Sequence, residues 1–528
     1  MSVLGFQIIF FSFLAFYLIA TFWSARKGTS LSDFYNMSGG AGALLIGGTY
    51  TGTLLSAMGV VGCVSNGFKF GPLTGTLNFV IPSYFVAMFI GLKLRRAKGH
   101  VTLGDFFGAR YGSQGLRVLS TLVTIIALGA YFLTQIIGSA AITEALLGIP
   151  YNLMVVIMVC VFTIITLSSG SKSVTITDTI MTVLIVICLA IIFAPMVIGK
   201  VGLGAFAAKA AEGGGFFSAT GEGNAVPWGS LLGIQIMWAF GNAVQPAGLS
   251  RCYLAKDSKT WIKGLLIATF AAITVAWLVV TAGSGVSLVN PDVAPNQALV
   301  WAAMNLVNPV IGAIAIAGLF AACLSTADTQ QLTLAMSVSK DLYQDIACKG
   351  KEVPERKLLL VCRICIVAFG LLGMLFALGR SDLILAIGNF GGAIFGAAYA
   401  PAVLFGVMWK RYTKEGAITS MLSGTIVTTA LYLAAVFQGL PFGTTTHLPF
   451  GLHPVIYGMI VSFLSGVIVS LFTRTSPEQE AFFDEINPPK EVLQTEAKSG
   501  TIKGALAAAT AGVAVLLIVN ILWANVLA

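Results

Sequence analysis

The chain has 528 residues, and its composition excludes most soluble classes. Only 10% of the residues are charged and 57% are hydrophobic, whereas an average soluble domain is roughly 25% charged. So few charges could not cover a water-soluble protein of this length, and there is neither the polarity of a disordered chain nor a collagen period. The composition therefore predicts an all-α polytopic membrane protein whose surroundings are the lipid bilayer, with no nucleic-acid partner.

Apolar segments long enough to cross a bilayer recur along the whole chain. The apolar core of a bilayer takes about 20 residues of helix, and on that criterion we predict about fourteen spans. They are residues 5–23, 41–66, 74–93, 117–140, 151–170, 174–199, 228–248, 262–284, 307–336, 358–378, 383–408, 416–437, 453–473 and 504–527.

The basic residues orient these spans. The formal net charge is +9, with 30 Lys and Arg residues, and cytosolic loops of membrane proteins carry an excess of Lys and Arg. With the N-terminus outside, only Lys69, Lys200, Lys209 and Arg380 fall on the external side when Arg363 is counted as internal. We therefore predict that both termini lie outside. The excess of positive charge is explained by the cytosolic loops that set this orientation, not by a binding site for an acidic partner.

No catalytic or ATP-driven machinery is visible in the sequence. There is no Walker-type Gly-Lys-Ser/Thr loop and no stretch with the length and polarity of an ATPase or kinase domain. The histidines and cysteines do not cluster at metal-ligand spacing, and no pair of catalytic carboxylates stands out. We therefore predict a transporter driven by an ion gradient, not an enzyme, a primary pump or a sensor.

Two spans carry helix-breaking residues together with polar ones. Residues 41–66 are rich in glycines and hydroxyls, and residues 228–248 combine Gly241 and Pro246 with Asn242. Unwound backbone is tolerated at membrane depth only where it lines a cavity, and broken spans in corresponding positions mark the binding site of inverted-repeat transporters. The alternative is that the glycines serve close helix packing.

The two broken spans are the second and the seventh of the predicted spans. Because they are five spans apart, each is predicted to be the first helix of a five-helix inverted repeat. The last part of the chain includes a charged internal loop, 475–503, which is predicted to be a solvated tether. The predicted parts are a first helix and cytosolic loop (1–40), repeat one (41–200), an external loop (201–227), repeat two (228–410) and three peripheral spans (411–528).

Two carboxylates fall inside predicted spans, Asp178 in span six and Asp328 in span nine. An acidic side chain at the centre of a membrane helix costs about 2.5–3.5 kcal/mol on insertion scales, so it indicates function by default. For Asp178 an interfacial position or a helix cap is the alternative, because the residue lies near the predicted cytosolic edge.

Span nine contains the sharpest local pattern. Ala322 precedes Ser325 by three residues and Thr326 by four, so its carbonyl and both hydroxyls share one face of the helix. Neutral hydroxyl and carbonyl oxygens suit a hard cation such as sodium, and free carbonyls near Gly52 and Leu55 in the first broken span could complete its shell. Hydroxyls that bond back to their own helix are the alternative.

The same stretch resembles the sodium:solute symporter family. The resemblance rests on the run from Leu319 to Leu332 and continues through Ser337–Tyr343. Further matches are Ser32-Asp33-Phe34-Tyr35, residues 101–111, Thr177-Asp178 and residues 246–259, so that nearly all of residues 1–410 is covered. The resemblance implies a leucine-transporter-like fold with five-plus-five inverted repeats, here spans 2–6 and 7–11.

The resemblance also implies binding residues. The common sodium site of the family would use backbone oxygens of Gly52, Leu55 and Ala322 with the hydroxyls of Ser325 and Thr326. A second sodium site, present in some members, would add Asp178, Asp328 and Thr329 to Ser325. The substrate would lie between the first and sixth core helices, where the candidates are Thr53, Ser56, Gln235, Trp238 and Asn242.

The solute is left open by these patterns. Residues 101–111, 148–151 and 251–259 look most like the pantothenate and short monocarboxylate branch of the family, and helix N-termini at the breaks favour a carboxylate. Gly59 stands where sugar-transporting members carry a glutamine, which argues against a sugar. Arg363, at the edge of span ten, is the only arginine that we expect near the membrane interior.

We therefore predict an inner-membrane symporter that imports a small carboxylate with Na⁺ by alternating access. Proline, other amino acids, sugars and sugar acids remain alternatives for the solute. Coupling to protons through Asp178 or Asp328 is the alternative for the ion.

Overall fold

A computed structural model describes residues 3–25, 34–35, 37–56, 58–77, 81–97, 99–351, 353–379, 384–445 and 447–489. These residues form helices and connecting turns without any β-strand, and an isolated parallel bridge joins Ala41 to Ala255. The helices are α1 (Val3–Ala25), α2 (Ala43–Leu54), α3 (Cys63–Phe70), α4 (Pro72–Leu77), α5 (Ile81–Leu94), α6 (Leu103–Tyr111), α7 (Gln114–Leu147), α8 (Tyr151–Leu184), α9 (Ala194–Val201), α10 (Leu203–Ala211), α11 (Trp228–Ile236), α12 (Pro246–Leu249), α13 (Ser258–Val289), α14 (Ala298–Asn305), α15 (Pro309–Met336), α16 (Glu355–Ala377), α17 (Ile384–Ile394), α18 (Ala400–Met408), α19 (Lys414–Phe437), α20 (Pro454–Phe472) and α21 (Pro477–Ile486).

Within the described residues, eleven helical segments are long and apolar enough to cross a membrane, and a bent pair formed by α2 and α3 raises the number to twelve. The polytopic all-α architecture is thereby confirmed. Of the other two predicted spans, residues 228–248 are helical but interrupted, and residues 504–527 lie outside the described residues. The fourteen-helix count and the external position of both termini stay predictions.

Predicted spans five and six are joined without the expected loop. Helix α8 runs from Tyr151 to Leu184 and is interrupted only at Gly170, where φ is 57° and ψ is −168°. Phe34 packs against this glycine so closely that an added Cβ would lie 2.5 Å from its ring. Glycine is required there because other residues rarely adopt a positive φ, and the direction of the chain changes at a single residue.

The first broken span bends where its hydroxyl-rich segment ends. Helix α2 ends at Leu54, Leu55 leaves helical geometry with ψ at 84°, and the following helix is turned by 63°. The second broken span, α11 with the π-helical turn Met237–Gly241, is followed by four non-helical residues before Pro246 begins α12. Both predicted breaks are therefore present in the fold, and the first lies within a bent pair of helices that together are long and apolar enough to cross a membrane.

Helix α2 is packed against α8, α13 and α15. A Cβ on Gly47 would come within 2.8 Å of the Gly264 carbonyl oxygen, and one on Gly48 within 2.6 Å of the Thr179 Cα. The close-packing interpretation is thus correct for Gly47 and Gly48. The break itself lies further along, around Leu55.

Part of the predicted solvated tether is ordered and docked. Helix α21 (Pro477–Ile486) follows the last described span, and Ile486 is fully buried. Buried Arg110 donates to the carbonyl oxygens of Gly406 at 2.7 Å and Gln479 at 3.3 Å, so one guanidinium caps the end of α18 and holds α21. For residues 477–486 the prediction of a solvated loop was therefore wrong, because a hydropathy pattern does not detect a polar helix anchored by carbonyl contacts.

Candidate functional site

The break after α2 frees two backbone carbonyls. The N–H of Ser56 would bond to Gly52 in a continuous helix, but it donates instead to the Leu54 carbonyl at 3.0 Å. The N–H of Gly59 would bond to Leu55, but it donates to the Ser56 hydroxyl at 2.9 Å. The carbonyl oxygens of Gly52 and Leu55 are therefore available to other groups.

Helix α15 presents two hydroxyls to these carbonyls. Thr326 Oγ1 lies 2.9 Å from the Gly52 oxygen, 3.5 Å from the Leu55 oxygen and 3.0 Å from the Ala322 oxygen of its own helix. Ser325 Oγ lies 3.0 Å from the Gly52 oxygen and 3.4 Å from the Ala322 oxygen. The structure thus brings together all five groups that the family resemblance implies for the common sodium site.

The donor set suits a hard monovalent cation. All five groups are neutral oxygens, and the five residues are buried. Oxygens about 2.3–2.6 Å from a hard cation stand roughly 3.3–3.7 Å apart when they occupy neighbouring octahedral positions. The observed separations of 2.9–3.5 Å are slightly smaller, so a few tenths of an ångström of expansion would exchange the hydrogen bonds for ion contacts.

Asp178 is buried beside this cluster. Its Oδ2 accepts from Thr49 Oγ1 at 2.7 Å and from Thr329 Oγ1 at 3.1 Å. A Cβ added to Gly52 would lie 3.3 Å from the Cβ atoms of both Asp178 and Ser325, which shows how close the carboxylate lies to the sodium-site residues. The interpretation of Asp178 as an interfacial cap is wrong, because the residue lies inside α8 and is fully buried.

Asp328, the other predicted intramembrane carboxylate, is also fully buried. Its Oδ2 accepts from the Tyr17 hydroxyl of α1 at 3.3 Å. Its Oδ1 has no hydrogen-bond partner within the part of the chain that the structure describes. Ser325 and Thr329 contact the cluster around Gly52 and Asp178, whereas the described side-chain hydrogen bond of Asp328 goes to Tyr17 on α1.

Arg251 was missed by the sequence analysis, which placed it in a cytosolic loop. It follows α12, is only 4% exposed, and donates from Nη2 to Thr329 Oγ1 at 2.7 Å. The same nitrogen lies 4.0 Å from Asp178 Oδ2. Arg363, the arginine that we expected near the membrane interior, is exposed. The sequence feature that could have indicated a buried Arg251 is its position five residues after Pro246, at the second helix break.

The substrate candidates fall into two groups. Thr53 Oγ1 donates to the Thr49 carbonyl of its own helix at 2.7 Å, so its hydroxyl is already occupied, whereas Ser56 contacts the Tyr131 hydroxyl of α7 at 2.9 Å. On the second broken span, Trp238 packs against Gly392 of α17. No described contact joins Thr53 or Ser56 directly to Gln235, Trp238 or Asn242.

Several further polar groups lie on the second broken span or on α17, a helix that contacts both breaks. Helix α17 contacts α7, the π turn at Met58–Gly62 and the π turn at Met237–Gly241, so it closes one side of this region. Among the described residues, buried polar atoms without a hydrogen-bond partner include Gln235 Nε2, Asn242 Nδ2, Gln245 Oε1 and Asn389 Oδ1. Tyr131 and Asn389 were missed because the sequence does not reveal which helices face the breaks.

A second acidic cluster lies away from this region. Asp105, Asp341 and Asp345 have carboxylate oxygens within 4.8 Å of one another. Arg117 pairs with Asp345, and Lys340 lies 3.3 Å from Asp345 and 3.9 Å from Asp105. Because Arg117 and Lys340 pair with Asp105 and Asp345, this cluster joins α6, α7 and the π-helical end of α15 electrostatically.

Comparison with known families identifies a close match. The model of the sodium:solute symporter family matches residues 34–424. The osmoregulated proline transporter of Bacillus subtilis is 27% identical over 491 residues, which cover 88% of this chain and 93% of that protein. The sodium/proline symporter of Salmonella typhimurium is 27% identical over 402 residues, with 72% of this chain and 75% of that protein covered.

Solved structures share the fold at low sequence identity. A Na⁺-coupled sialic acid symporter in a substrate-bound outward-open state superposes with a TM-score of 0.75 at 16% identity, covering 90% of this chain and 99% of that one. The transporter MhsT in complex with L-phenylalanine gives a TM-score of 0.53 at 12% identity, covering 82% and 98%. These neighbours are leucine-transporter-like, so the likeness supports the predicted helical architecture.

Proposed function

Because the chain belongs to the sodium:solute symporter family, we propose that it imports a small carboxylate-bearing solute together with sodium, and that L-proline is the first solute to test. Family membership places the protein among multi-pass inner-membrane transporters and implies sodium as the coupling ion. The solute, the residues that bind it and the residues that bind sodium are the content of the proposal.

The observation that carries the proposal is the convergence of five oxygens at the first break. Carbonyls of Gly52 and Leu55 face the hydroxyls of Ser325 and Thr326 at 2.9–3.5 Å, with the Ala322 carbonyl beside them. An ion held there would bridge the unwound end of α2 and the middle of α15. Sodium would thereby stabilise the arrangement in which the end of α2 lies against the middle of α15, relative to arrangements in which these two helices are apart.

Sodium and solute would be coupled through the backbone. Ser56 directly follows Leu55, and its hydroxyl contacts Tyr131, so an ion that holds the Leu55 carbonyl also orients a candidate solute-binding side chain. Binding of sodium would stabilise the outward-open state. The change to the inward-facing state would then release sodium and solute into the cytosol. One sodium crossing 100 mV supplies about 2.3 kcal/mol, which corresponds to roughly fiftyfold accumulation.

A zwitterionic amino acid suits the second break better than a simple carboxylate does. Asn242 Nδ2 is a buried donor and Gln245 Oε1 a buried acceptor, each without a partner among the described residues. A zwitterion offers a carboxylate to the donor and an amine to the acceptor. The names of the relatives also favour proline over pantothenate, although the resemblance of residues 101–111 and 251–259 to the pantothenate branch keeps pantothenate and short monocarboxylates in the panel.

A second sodium site is part of the proposal. Asp178 and Thr329 are joined by a hydrogen bond of 3.1 Å. The Cβ atoms of Asp178 and Ser325 both lie 3.3 Å from the position that a Cβ on Gly52 would take, so these two side chains are close together. Asp178 Oδ1 has no partner among the described groups, so it is available as an anionic ligand. Asp328 places a second buried carboxyl group on the same part of α15, and its participation as a direct ligand is the least supported part of the set.

The test is uptake by proteoliposomes of labelled L-proline, pantothenate, acetate, pyruvate and glucose, with and without an inward sodium gradient. We expect sodium-driven uptake of proline by the wild type and its loss in the Ser325→Ala/Thr326→Ala variant. Thr333→Ala is the matched control, because its hydroxyl lies on the adjoining part of the same helix and bonds to its own backbone at 2.8 Å.

Each other outcome has a defined meaning. Sodium-driven uptake of another solute in the panel would retain the ion site and replace the substrate. Uptake that follows a proton gradient and ignores sodium would refute the sodium site, and the two buried carboxylates Asp178 and Asp328 would become the candidates for proton coupling.

A further inference from the structure

Arg251 and Asp178 form a buried contact between oppositely charged groups that sequence analysis did not anticipate. The guanidinium lies 4.0 Å from the carboxylate, and the side chains are 5% and 0% exposed. Removing one partner of such a buried pair leaves an uncompensated charge. The contact therefore controls the electrostatics around Asp178.

Thr329 connects the two charged groups. Arg251 Nη2 donates to Thr329 Oγ1 at 2.7 Å, and Thr329 Oγ1 donates to Asp178 Oδ2 at 3.1 Å. The pair is nonetheless incomplete, because Asp178 Oδ1 and Arg251 Nε both lack partners within the described chain. A permanent Arg–carboxylate pair is commonly bidentate and uses both oxygens. The Arg251–Asp178 contact lacks this bidentate geometry, so Asp178 can exchange the guanidinium for another cation.

The guanidinium occupies a position beside the proposed second sodium site. Thr329 and Asp178, two of the proposed ligands, are the groups that Arg251 contacts or approaches. A sodium ion and a guanidinium would both be attracted to this carboxylate, and two cations in one buried site repel each other. Occupation by one cation therefore disfavours the other.

The position of Arg251 in the chain gives this competition a mechanical consequence. Arg251 lies in the 3₁₀ turn Ser250–Leu254, directly after α12 and the second helix break, whereas Asp178 and Thr329 lie on the long helices α8 and α15. The same turn is tied to the start of α2, since the Ala41 N–H donates to the Leu254 carbonyl at 2.9 Å. Displacing Arg251 would move a segment that contacts both broken spans.

We propose that Arg251 is a tethered competitor of the second sodium ion: its guanidinium neutralises Asp178 when that sodium is absent and leaves when the sodium binds. This inference rests on the proposed sodium-coupled function. It gives the empty carrier a resident counter-ion for Asp178, and it gives sodium binding a direct effect on the segment that follows the second break.

The alternative is a purely structural ion pair, and the two differ in the sign of one measurement. If Arg251 competes with sodium, a neutral residue at this position must tighten sodium binding. If Arg251 only supports the fold and has no electrostatic contact with the ion, its loss leaves sodium binding unchanged or weakens it.

The experiment is equilibrium binding of ²²Na⁺ to the purified full-length protein, at constant ionic strength set with choline chloride and without solute. We expect Arg251→Gln and Arg251→Met to bind sodium at least about tenfold more tightly than the wild type. Arg251→Lys retains the positive charge and should stay within about threefold of the wild type. Using two neutral variants keeps the test valid if one of them does not fold.

The double variant Arg251→Gln/Asp178→Asn locates the effect. Since the competition requires the carboxylate, the tightening should disappear in the double variant. Unchanged or weaker sodium binding by a folded neutral variant would overturn this inference alone, as would tightening that persists without Asp178. Absence of sodium binding in both the wild type and Arg251→Gln would overturn the proposed function as well.

Discussion

The Ser56 hydroxyl accepts the backbone N–H of Gly59 at 2.9 Å. This contact takes the place of the helical hydrogen bond that Gly59 would otherwise donate to Leu55, so one serine side chain keeps the Leu55 carbonyl available. A hydroxyl predicted only as a solute contact thus also supports the geometry of the proposed sodium site.

Ser56→Ala should therefore weaken sodium binding. Without the hydroxyl, the Gly59 N–H can return to the Leu55 carbonyl and withdraw one oxygen from the site. A hydrogen bond contributes about 0.5–1.5 kcal/mol net, so we expect the half-saturating sodium concentration to rise roughly two- to tenfold. Sodium titration of uptake or of ²²Na⁺ binding measures this change.

Tyr131→Phe is the control for Ser56→Ala. It removes the other hydrogen-bonding partner of Ser56, at 2.9 Å, and leaves the Gly59 contact intact. Its sodium dependence should match that of the wild type. Equal sodium shifts in the two variants would contradict a specific role for the Ser56–Gly59 hydrogen bond.

Gly48→Ala should destabilise the protein by forcing α2 away from α8. The added Cβ would lie 2.6 Å from the Cα and Cβ of Thr179, and overpacking of this kind costs about 1–3 kcal/mol. The expected result is a lower melting temperature of the purified protein. Gly129→Ala on α7 is the comparison, because nothing lies within 4 Å of its Cβ position; a similar loss there would point to a general effect of alanine.

Arg110→Lys should loosen α21 although it preserves the charge. Arg110 donates to carbonyls of Gly406, Trp409 and Gln479 with separate nitrogens, and an ammonium does not reproduce this planar set of donors. We expect faster proteolytic cleavage around residues 474–489 and a stability loss of about 1.5–3 kcal/mol. Lys410→Gln, which breaks an exposed pair with Asp484, should have a much smaller effect.

Asp257→Ala should destabilise the start of α13 by about 1 kcal/mol. Asp257 caps this helix by accepting the Thr260 N–H at 2.6 Å, and the Thr260 hydrogen bonds lower the pKa of the carboxyl below its usual value. A lowered pKa in the folded state means that the ionised group stabilises the fold above the unfolded-state pKa, near 4.

This contribution is lost as the pH falls through the lowered pKa. Melting temperatures measured as a function of pH for the wild type and Asp257→Asn provide the test, because asparagine retains a capping oxygen without the charge. The stability difference between the two should be constant near neutral pH and should shrink only in the acidic range. A difference that grows on acidification would have the wrong sign for this explanation.

The sequence by itself determined the class of the protein and most of the residues of the proposed sodium site. Low charge and recurring apolar segments of about 20 residues predict membrane helices, because a helix of that length crosses the bilayer and satisfies its backbone hydrogen bonds internally. The spacing of Ala322, Ser325 and Thr326 places three oxygens on one helix face whatever surrounds the helix. The family match over residues 34–424 agrees with the resemblance seen in this stretch.

Only the tertiary structure decided which distant residues meet these oxygens. Arg251 belongs, by local sequence, to a basic loop, and it is the packing of α12 against the long helices that brings it to Thr329 and Asp178. The docking of α21 likewise depends on Arg110, hundreds of residues earlier in the chain. Periodicity and charge report how a segment meets water or lipid, whereas contacts between distant segments arise from the packing of whole helices, so these relationships had no local signal.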